Sequence, residues 1–131
     1  HLIGFSKGGV VLNQFVSELG RPDVTGPVNT LFSMVETMHW IDSGNGSLIH
    51  ALPVGDPTAI AKLSSYRTQV FIHTTPFQVK STQRPWIKQE VETFTALLKQ
   101  HEIRVQSLSY FKEQDGRALN THFQVLTAFK T

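Results

Sequence analysis

Cysteine is absent from the 131 residues of the chain, which excludes disulfides and thiolate metal sites within it. Charge is scarce as well: charged residues make up 17%, and the net charge is +2. A nucleic-acid partner requires a clustered basic face, whereas the twelve lysines and arginines are scattered along the chain, so we expect no nucleic-acid partner. No apolar run approaches the roughly twenty residues that span a bilayer, and we expect no transmembrane segment.

The chain also lacks the short motifs that hold metals and cofactors. It contains no H-x-x-x-H pair, no acidic cluster and no glycine-rich phosphate loop. We therefore expect neither a metal nor a cofactor. What the chain does have is 40% hydrophobic and 10% aromatic residues, which are enough to pack a core in a chain of single-domain size.

Strand-like and helix-like segments alternate along the chain. The strands are predicted over residues 1–5, 38–41, 69–73 and 105–111, and the helices over 7–19, 57–66, 85–101 and 121–130. Asp56 followed by Pro57 is a typical helix start. Residues 28–35 are ambiguous, with a short helix as one possibility. The alternation predicts an α/β fold with a mostly parallel sheet flanked by helices.

The segment Gly4-Phe5-Ser6-Lys7-Gly8 matches the pattern G-x-S-x-G where the first strand meets the first helix. Such a turn forces its serine into unfavourable backbone angles, and we expect both flanking glycine positions to be small because a side chain there would collide. The pattern predicts that Ser6 is a nucleophile at the carboxyl edge of the sheet and that the Lys7 amide is an oxyanion donor. The alternative is an ordinary turn in which Ser6 only caps the helix.

A nucleophilic serine needs a general base, and the chain contains six histidines. In α/β-hydrolases the base comes last in the chain order of serine, acid and histidine, and His122 lies after the last predicted strand. His73 and His39 lie inside predicted strands, where we expect them to be packed. The remaining three are His101 at an exposed helix end, His1 ahead of the motif and His50 in a loop, the last of which is a weak alternative base.

The acid that orients the base is harder to assign. Residues 74–78, where it usually lies, contain no carboxylate. Asp42 directly follows an apolar strand, which places it at the same sheet edge as Ser6, and some hydrolases take their acid from this location. The alternative role for Asp42 is a turn held by its own backbone. Asp115 and Glu113, in the loop before the last helix, are the fallback candidates.

Three stretches together resemble the family of the human chromosome 2 open reading frame 69 protein: GFSKGGVVLNQF, MHWIDSG, and TPFQVKSTQRPWIKQE with the later NTHFQV. The resemblance covers most of the chain. It implies an esterase- or lipase-like α/β-hydrolase fold and a mitochondrial localisation; without the resemblance we expect a cytoplasmic one. Carried over by residue, it favours Ser6, Asp42 and His122 as the catalytic set. One difference is the turn after Asp42, which is richer in glycine and often contains histidine in the family and reads SGNG here.

Two functions of different classes follow from these patterns. The first is a serine hydrolase of the esterase or lipase type that acts on a small acyl or lipid-like substrate. The second is a catalytically silent scaffold with a mitochondrial partner-binding or regulatory role, in which the serine turn is kept for its shape. A third interpretation is an unrelated doubly wound domain that binds a ligand at the same sheet edge.

The chain starts with His1 inside an apolar stretch, and we expect residues 1–131 to be the C-terminal part of one hydrolase-like domain, with its N-terminal strands absent. The first strand would then have an uncovered edge that the remaining N-terminal part normally covers. We predict that residues 1–131 produced alone aggregate or remain inactive, as measured by gel filtration and thermal melting. A soluble monomer that melts cooperatively would contradict this.

Overall fold

The computed structural model describes residues 1–23, 26–44 and 56–131. Within these ranges the sheet has four strands, which lie in the order β1-β2-β3-β4, with each neighbouring pair parallel. The strands are β1 (Leu2–Phe5), β2 (Thr37–Ile41), β3 (Gln69–Thr74) and β4 (Val105–Ser109). The predicted α/β class with a parallel sheet flanked by helices is confirmed.

Helices connect the strands, and a 3-10 turn over Ser6–Gly8 leads β1 into the first of them. The helices are α1 (Gly9–Leu19), α2 (Pro27–Met34), α3 (Pro57–Leu63), α4 (Pro76–Val79), α5 (Trp86–Gln100) and α6 (Leu119–Ala128). The ambiguous segment is therefore helical, as α2, and α4 is a short helix that the sequence did not predict. Asp56 caps α3 as expected, because its Oδ1 accepts a hydrogen bond of 2.9 Å from the Ala59 amide. In the described ranges no helix is both long and apolar enough to cross a membrane.

One face of the sheet carries the main hydrophobic core. Alternate residues of β2 and β3 point into it, as the period of two in a strand requires; they are Met38, Trp40, Val70 and Ile72. Helices α1, α2, α3 and α5 cover this face with an apolar stripe each. Their most buried members are Leu12, Val16, Leu19, Phe32, Ile60, Leu63, Phe94 and Leu98. This packing orients β1 and α1, which carry the G-x-S-x-G turn between them.

The parallel arrangement brings the carboxyl ends of the strands to one edge of the sheet. Ser6 follows β1, Asp42 follows β2 and Thr75 follows β3 at this edge. At the side of the sheet, β1 is the terminal strand and its outer edge pairs with no strand among residues 1–23, 26–44 and 56–131.

The opposite face of the sheet carries a row of hydrogen-bonded polar side chains. His39 Nδ1 lies 3.1 Å from His73 Nε2, His39 Nε2 lies 3.0 Å from Thr37 Oγ1, and His73 Nδ1 lies 2.9 Å from the Tyr110 hydroxyl. Phe129 covers the row, with its ring centroid 5.6 Å from that of His73. Both histidines are buried, as predicted. Burial lowers the pKa of His39, and burial together with the neighbouring His39 lowers the pKa of His73 to about 4.

This buried row predicts a loss of stability in mild acid. Between pH 6.5 and 4 the unfolded chain protonates His73 while the folded chain does not, so stability falls as the pH falls. From His73 alone we expect a loss of about 2 kcal/mol between pH 7 and pH 5. The measurement is urea unfolding of the full-length natural protein at both pH values, where His73→Gln should remove most of the difference.

The matched control for this prediction is His101→Gln, because His101 follows α5 and lies outside the row. This variant should keep the pH dependence of the unsubstituted protein. An equal loss of stability in the His73→Gln variant and the unsubstituted protein would show that the row is not its source.

Candidate active site

The G-x-S-x-G segment forms a sharp turn from β1 into α1. Ser6 has a φ of 52°, in the left-handed region that residues with a side chain rarely adopt. Its side chain is partly exposed at the carboxyl edge of the sheet, and the exposed Lys7 follows it in the 3-10 turn. The N-cap of α1 is Gly8, so the interpretation of Ser6 as a simple helix cap is wrong.

The structure brings together the three residues predicted from the sequence. His122 Nε2 lies 3.0 Å from Ser6 Oγ, and His122 Nδ1 lies 2.7 Å from Asp42 Oδ2. The His122 side chain is 7% exposed and that of Asp42 is fully buried. A carboxylate only accepts hydrogen bonds, so Nδ1 carries the proton, and Nε2 of the neutral ring can accept one from the Ser6 hydroxyl. The arrangement can therefore move a proton from the serine to the histidine.

The Asp42 carboxylate is held in place by the segment that follows β3. Thr75 donates twice, from its amide to Oδ1 and from its hydroxyl to Oδ2, both at 2.6 Å. The backbone of Asp42 is fixed as well: its amide donates to the His73 carbonyl at 2.7 Å, and its carbonyl accepts from Gln78 Nε2 at 2.6 Å. These bonds hold a φ of 45°, which aspartate tolerates better than most residues, and aim Oδ2 at His122.

Thr75 and Gln78 belong to the candidate site and were not predicted from the sequence. Residues 74–78 contain no carboxylate, but Thr75 donates twice to the carboxylate of Asp42 and Gln78 donates to the backbone carbonyl of Asp42. The available signal was the position of Thr75 directly after β3, at the same sheet edge as Asp42.

Three phenylalanines surround the His122 imidazole. The ring centroids of Phe5, Phe77 and Phe123 lie 4.7, 5.0 and 5.2 Å from that of His122. They come from the end of β1, from α4 and from α6, and Phe123 is 57% exposed. The hydroxyl and imidazole therefore lie beside an apolar surface that reaches solvent, which suits an apolar group of a ligand.

The other candidate residues that the structure describes lie outside this arrangement. Among the described residues, neither fallback acid hydrogen-bonds to His122: Asp115 pairs with Arg117 at 3.1 Å, and Glu113 is exposed. His1 hydrogen-bonds to Thr37, His39 and His73 form the buried row, and His101 follows α5. His50, together with residues 45 and 46 of the turn after Asp42, lies outside the described residues.

The glycines of the motif differ in whether the surrounding atoms leave room for a side chain. A Cβ on Gly4 would lie 2.8 Å from the Gly8 carbonyl oxygen and 2.9 Å from the Gly9 nitrogen. A Cβ on Gly8 would have no described heavy atom within 4 Å, and its φ of −62° is ordinary. The expectation that both positions must be small is therefore supported for Gly4 and wrong for Gly8. Gly9 makes the second close approach instead, since its Cβ would lie 2.6 Å from that of Ser43.

Comparison with known proteins identifies relatives for most of the chain. A family model described as C2orf69 matches residues 1–104. The mitochondrial protein C2orf69 homologs of Danio rerio and Mus musculus, and the mitochondrial protein C2orf69 of Homo sapiens, are 30%, 31% and 31% identical over 128 residues. These alignments cover 98% of this chain but 37%, 34% and 33% of the relatives, so the chain spans about a third of their length. No solved structure matches the chain.

The names of these relatives bear on the localisation. Each is called a mitochondrial protein, which confirms the mitochondrial localisation that the family resemblance predicted. None of the names states a reaction, so the chemistry has to be argued from the site.

Gly4 and Gly8 differ in the space that surrounds them, and this difference gives a prediction with a matched control. Gly4→Ala should destabilise the protein by about 1–3 kcal/mol, because its methyl group meets backbone atoms that cannot move aside. Gly8→Ala should change the stability by less than about 0.5 kcal/mol, since its methyl group enters open space. Thermal unfolding of the full-length natural protein measures both. Equal destabilisation by the two substitutions would contradict the close approach at Gly4.

Proposed function

The chain belongs to the C2orf69 family, and we propose that it carries the catalytic residues of a serine acyl hydrolase with an α/β-hydrolase fold. Ser6 is the nucleophile, His122 the general base and Asp42 the residue that orients the base. The single observation that carries the proposal is the hydrogen-bonded series from Ser6 Oγ through both nitrogens of His122 to Asp42, at 3.0 and 2.7 Å.

The order of the elements supports the hydrolase assignment of the fold. The serine follows a parallel strand and precedes a helix, in a backbone conformation with positive φ. The acid and the base come later in the chain, in the order serine, aspartate, histidine that α/β-hydrolases share. Asp42 follows the strand next to that of the serine, and Thr75 then occupies the more usual position of the acid.

The proposed reaction starts with acylation of the serine. Ser6 Oγ attacks the carbonyl carbon of an ester, thioester or amide, and its proton passes to His122 Nε2. Asp42 stabilises the imidazolium that forms and keeps the ring oriented. When the tetrahedral intermediate collapses, the bond from the carbonyl carbon to the leaving group breaks, and the leaving group takes the proton from Nε2. An acyl ester on Ser6 remains.

Water completes the reaction. His122 Nε2 accepts a proton from a water molecule, whose oxygen attacks the acyl carbon. The bond from this carbon to Ser6 Oγ then breaks, and the proton returns to the serine. The net change is hydrolysis of the acyl compound to an acid and the released leaving group, with no oxidant, metal or cofactor consumed.

The negative oxygen of the tetrahedral intermediate requires hydrogen-bond donors. In this proposal the amide of Lys7, directly after the nucleophile, is one of them, as the turn geometry of α/β-hydrolases implies.

The substrate that we propose is a small acyl or lipid-like compound. Phe5, Phe77 and Phe123 support this choice, because they provide apolar surface beside the reacting hydroxyl for an acyl chain. The exposed ring of Phe123 extends this surface along α6 toward Leu119 and Leu126, which are also exposed.

An activity-based probe tests the proposal. We expect a fluorophosphonate to label the full-length natural protein covalently at Ser6, because an activated serine oxygen attacks phosphorus as it attacks a carbonyl. Ser6→Ala should abolish the labelling, and His122→Gln should slow it by roughly a thousandfold, since the hydroxyl then loses its base. Labelling is read by fluorescence in a gel and by mass spectrometry of the labelled peptide.

Ser33→Ala is the matched control, because Ser33 lies on α2 and its hydroxyl donates only to the Thr30 carbonyl among the described residues. It should leave the labelling unchanged. Absence of labelling in a folded protein would overturn the hydrolase proposal and favour the scaffold that binds mitochondrial partners.

A further inference from the structure

A cavity of about 740 Å³ opens beside Phe77, one of the phenylalanines around the His122 imidazole. Its walls come from α4, from the link between α4 and α5, and from the loop before α6. The residues that matter here are Phe77, Lys80, Arg84, Asp115, Gly116 and Arg117. We propose that this cavity binds the anionic group, a phosphate or a carboxylate, of the acyl substrate, with Arg84 as the residue that recognises it. This inference rests on the proposed hydrolase function.

The cavity carries an excess of positive charge. Three cations line it, Lys80, Arg84 and Arg117, against one carboxylate. Arg117 uses that carboxylate, since its Nη2 lies 3.1 Å from Asp115 Oδ2 and its hydrogen bond is the main cause of the lowered pKa of Asp115. Lys80 donates to the Lys112 carbonyl at 2.7 Å and also interacts with the charge of Asp115, which leaves two positive charges in excess in the lining. The remaining charge of the lining attracts an anion.

Arg84 is the cation best prepared to bind one. Its guanidinium carbon lies 5.1 Å from the centroid of Phe77, in a cation–π contact that orients the group. Among the described residues it has no carboxylate partner, and none of its guanidinium N–H groups donates a hydrogen bond. A planar guanidinium with free N–H groups matches the paired oxygens of a carboxylate or a phosphate.

Phe77 connects this cation to the reacting groups. The centroid of its ring lies 5.0 Å from that of His122 and 5.1 Å from the Arg84 guanidinium carbon. In this proposal one ester places its carbonyl group at Ser6 and its anionic group at Arg84, while its apolar part packs on Phe77. The positive charge of Arg84 favours an acyl compound with an anionic end over a neutral one.

The walls of the cavity are held against each other. A Cβ on Gly116 would lie 2.7 Å from the carbonyl carbon of Lys80, so the loop before α6 packs directly on the end of α4. The Arg84 amide donates to Ser81 Oγ at 3.2 Å, which fixes the turn that carries the arginine. The cavity is thus formed by packed backbone segments.

Two matched pairs of esters test the inference on the full-length natural protein. The first pair has the anionic group in the acyl part: p-nitrophenyl butyrate against the p-nitrophenyl monoester of glutaric acid. The second has it in the leaving group: 1-butyrylglycerol against its 3-phosphate. The values of kcat and KM are measured for all four with the unsubstituted protein and with Arg84→Gln. The two pairs also distinguish a carboxylate from a phosphate.

We expect the unsubstituted protein to prefer the charged member of at least one pair. Arg84→Gln should lower kcat/KM for that member by about 10- to 100-fold, mainly through a higher KM, because a hydrogen bond to a charged group is lost. For the neutral member the same substitution should change kcat/KM by less than about twofold. Fluorophosphonate labelling of Ser6 should persist in this variant.

The control is Arg67→Gln, which removes the same charge at an exposed arginine before β3, at the opposite end of the strands. This substitution should leave kcat/KM unchanged for both members of both pairs. Hydrolysis without preference for a charged member, or a preference that Arg84→Gln leaves intact, would overturn the inference while the hydrolase function stands. Absence of both labelling and hydrolysis would instead overturn the proposed function.

Discussion

The hydrogen bond between His122 and the buried carboxylate of Asp42 is the contact on which the candidate site depends. A fully buried carboxylate is unstable unless donors surround it, and here Thr75 supplies two and the imidazole a third. The same bond joins α6 to the sheet edge and selects the ring tautomer that leaves Nε2 facing Ser6. This one hydrogen bond therefore both stabilises the buried carboxylate and orients the imidazole toward Ser6.

The parallel sheet makes this contact possible, because it brings the ends of consecutive strands to one edge. Ser6 and Asp42 both take positive φ angles directly after their strands, so the chain turns sharply at the two places where a side chain must face the same space. Such angles persist only where the surroundings hold them. At Ser6 the angle is held by the close approach of Gly4 to Gly8. At Asp42 it is held by two hydrogen bonds, one that its carbonyl accepts from Gln78 and one that its amide donates to the His73 carbonyl.

The histidines show how environment separates residues of one type. His39 and His73 lie under Phe129 on the opposite face of the sheet, hydrogen-bonded to each other, and burial lowers their pKa values. They hold the sheet together as neutral side chains. His122 is also buried, but it lies between an acceptor and a partly exposed hydroxyl beside phenylalanine rings, with a cationic cavity beyond Phe77. Of the histidines that the structure describes, only His122 hydrogen-bonds both to a buried carboxylate and to a partly exposed hydroxyl.

Local patterns in the sequence determined the alternation of strands and helices, the cap at Asp56 and the serine turn, because each depends on neighbours within a few residues. They also indicated that a carboxylate after β2 lies at the same edge as Ser6. The contact of His122 with Asp42 spans 80 residues and its contact with Ser6 spans 116, and no local spacing encodes either. For the same reason only the tertiary structure revealed Thr75 and Gln78 behind Asp42, the free space at Gly8 and the cavity at Arg84: each depends on segments that become neighbours only when the sheet has formed.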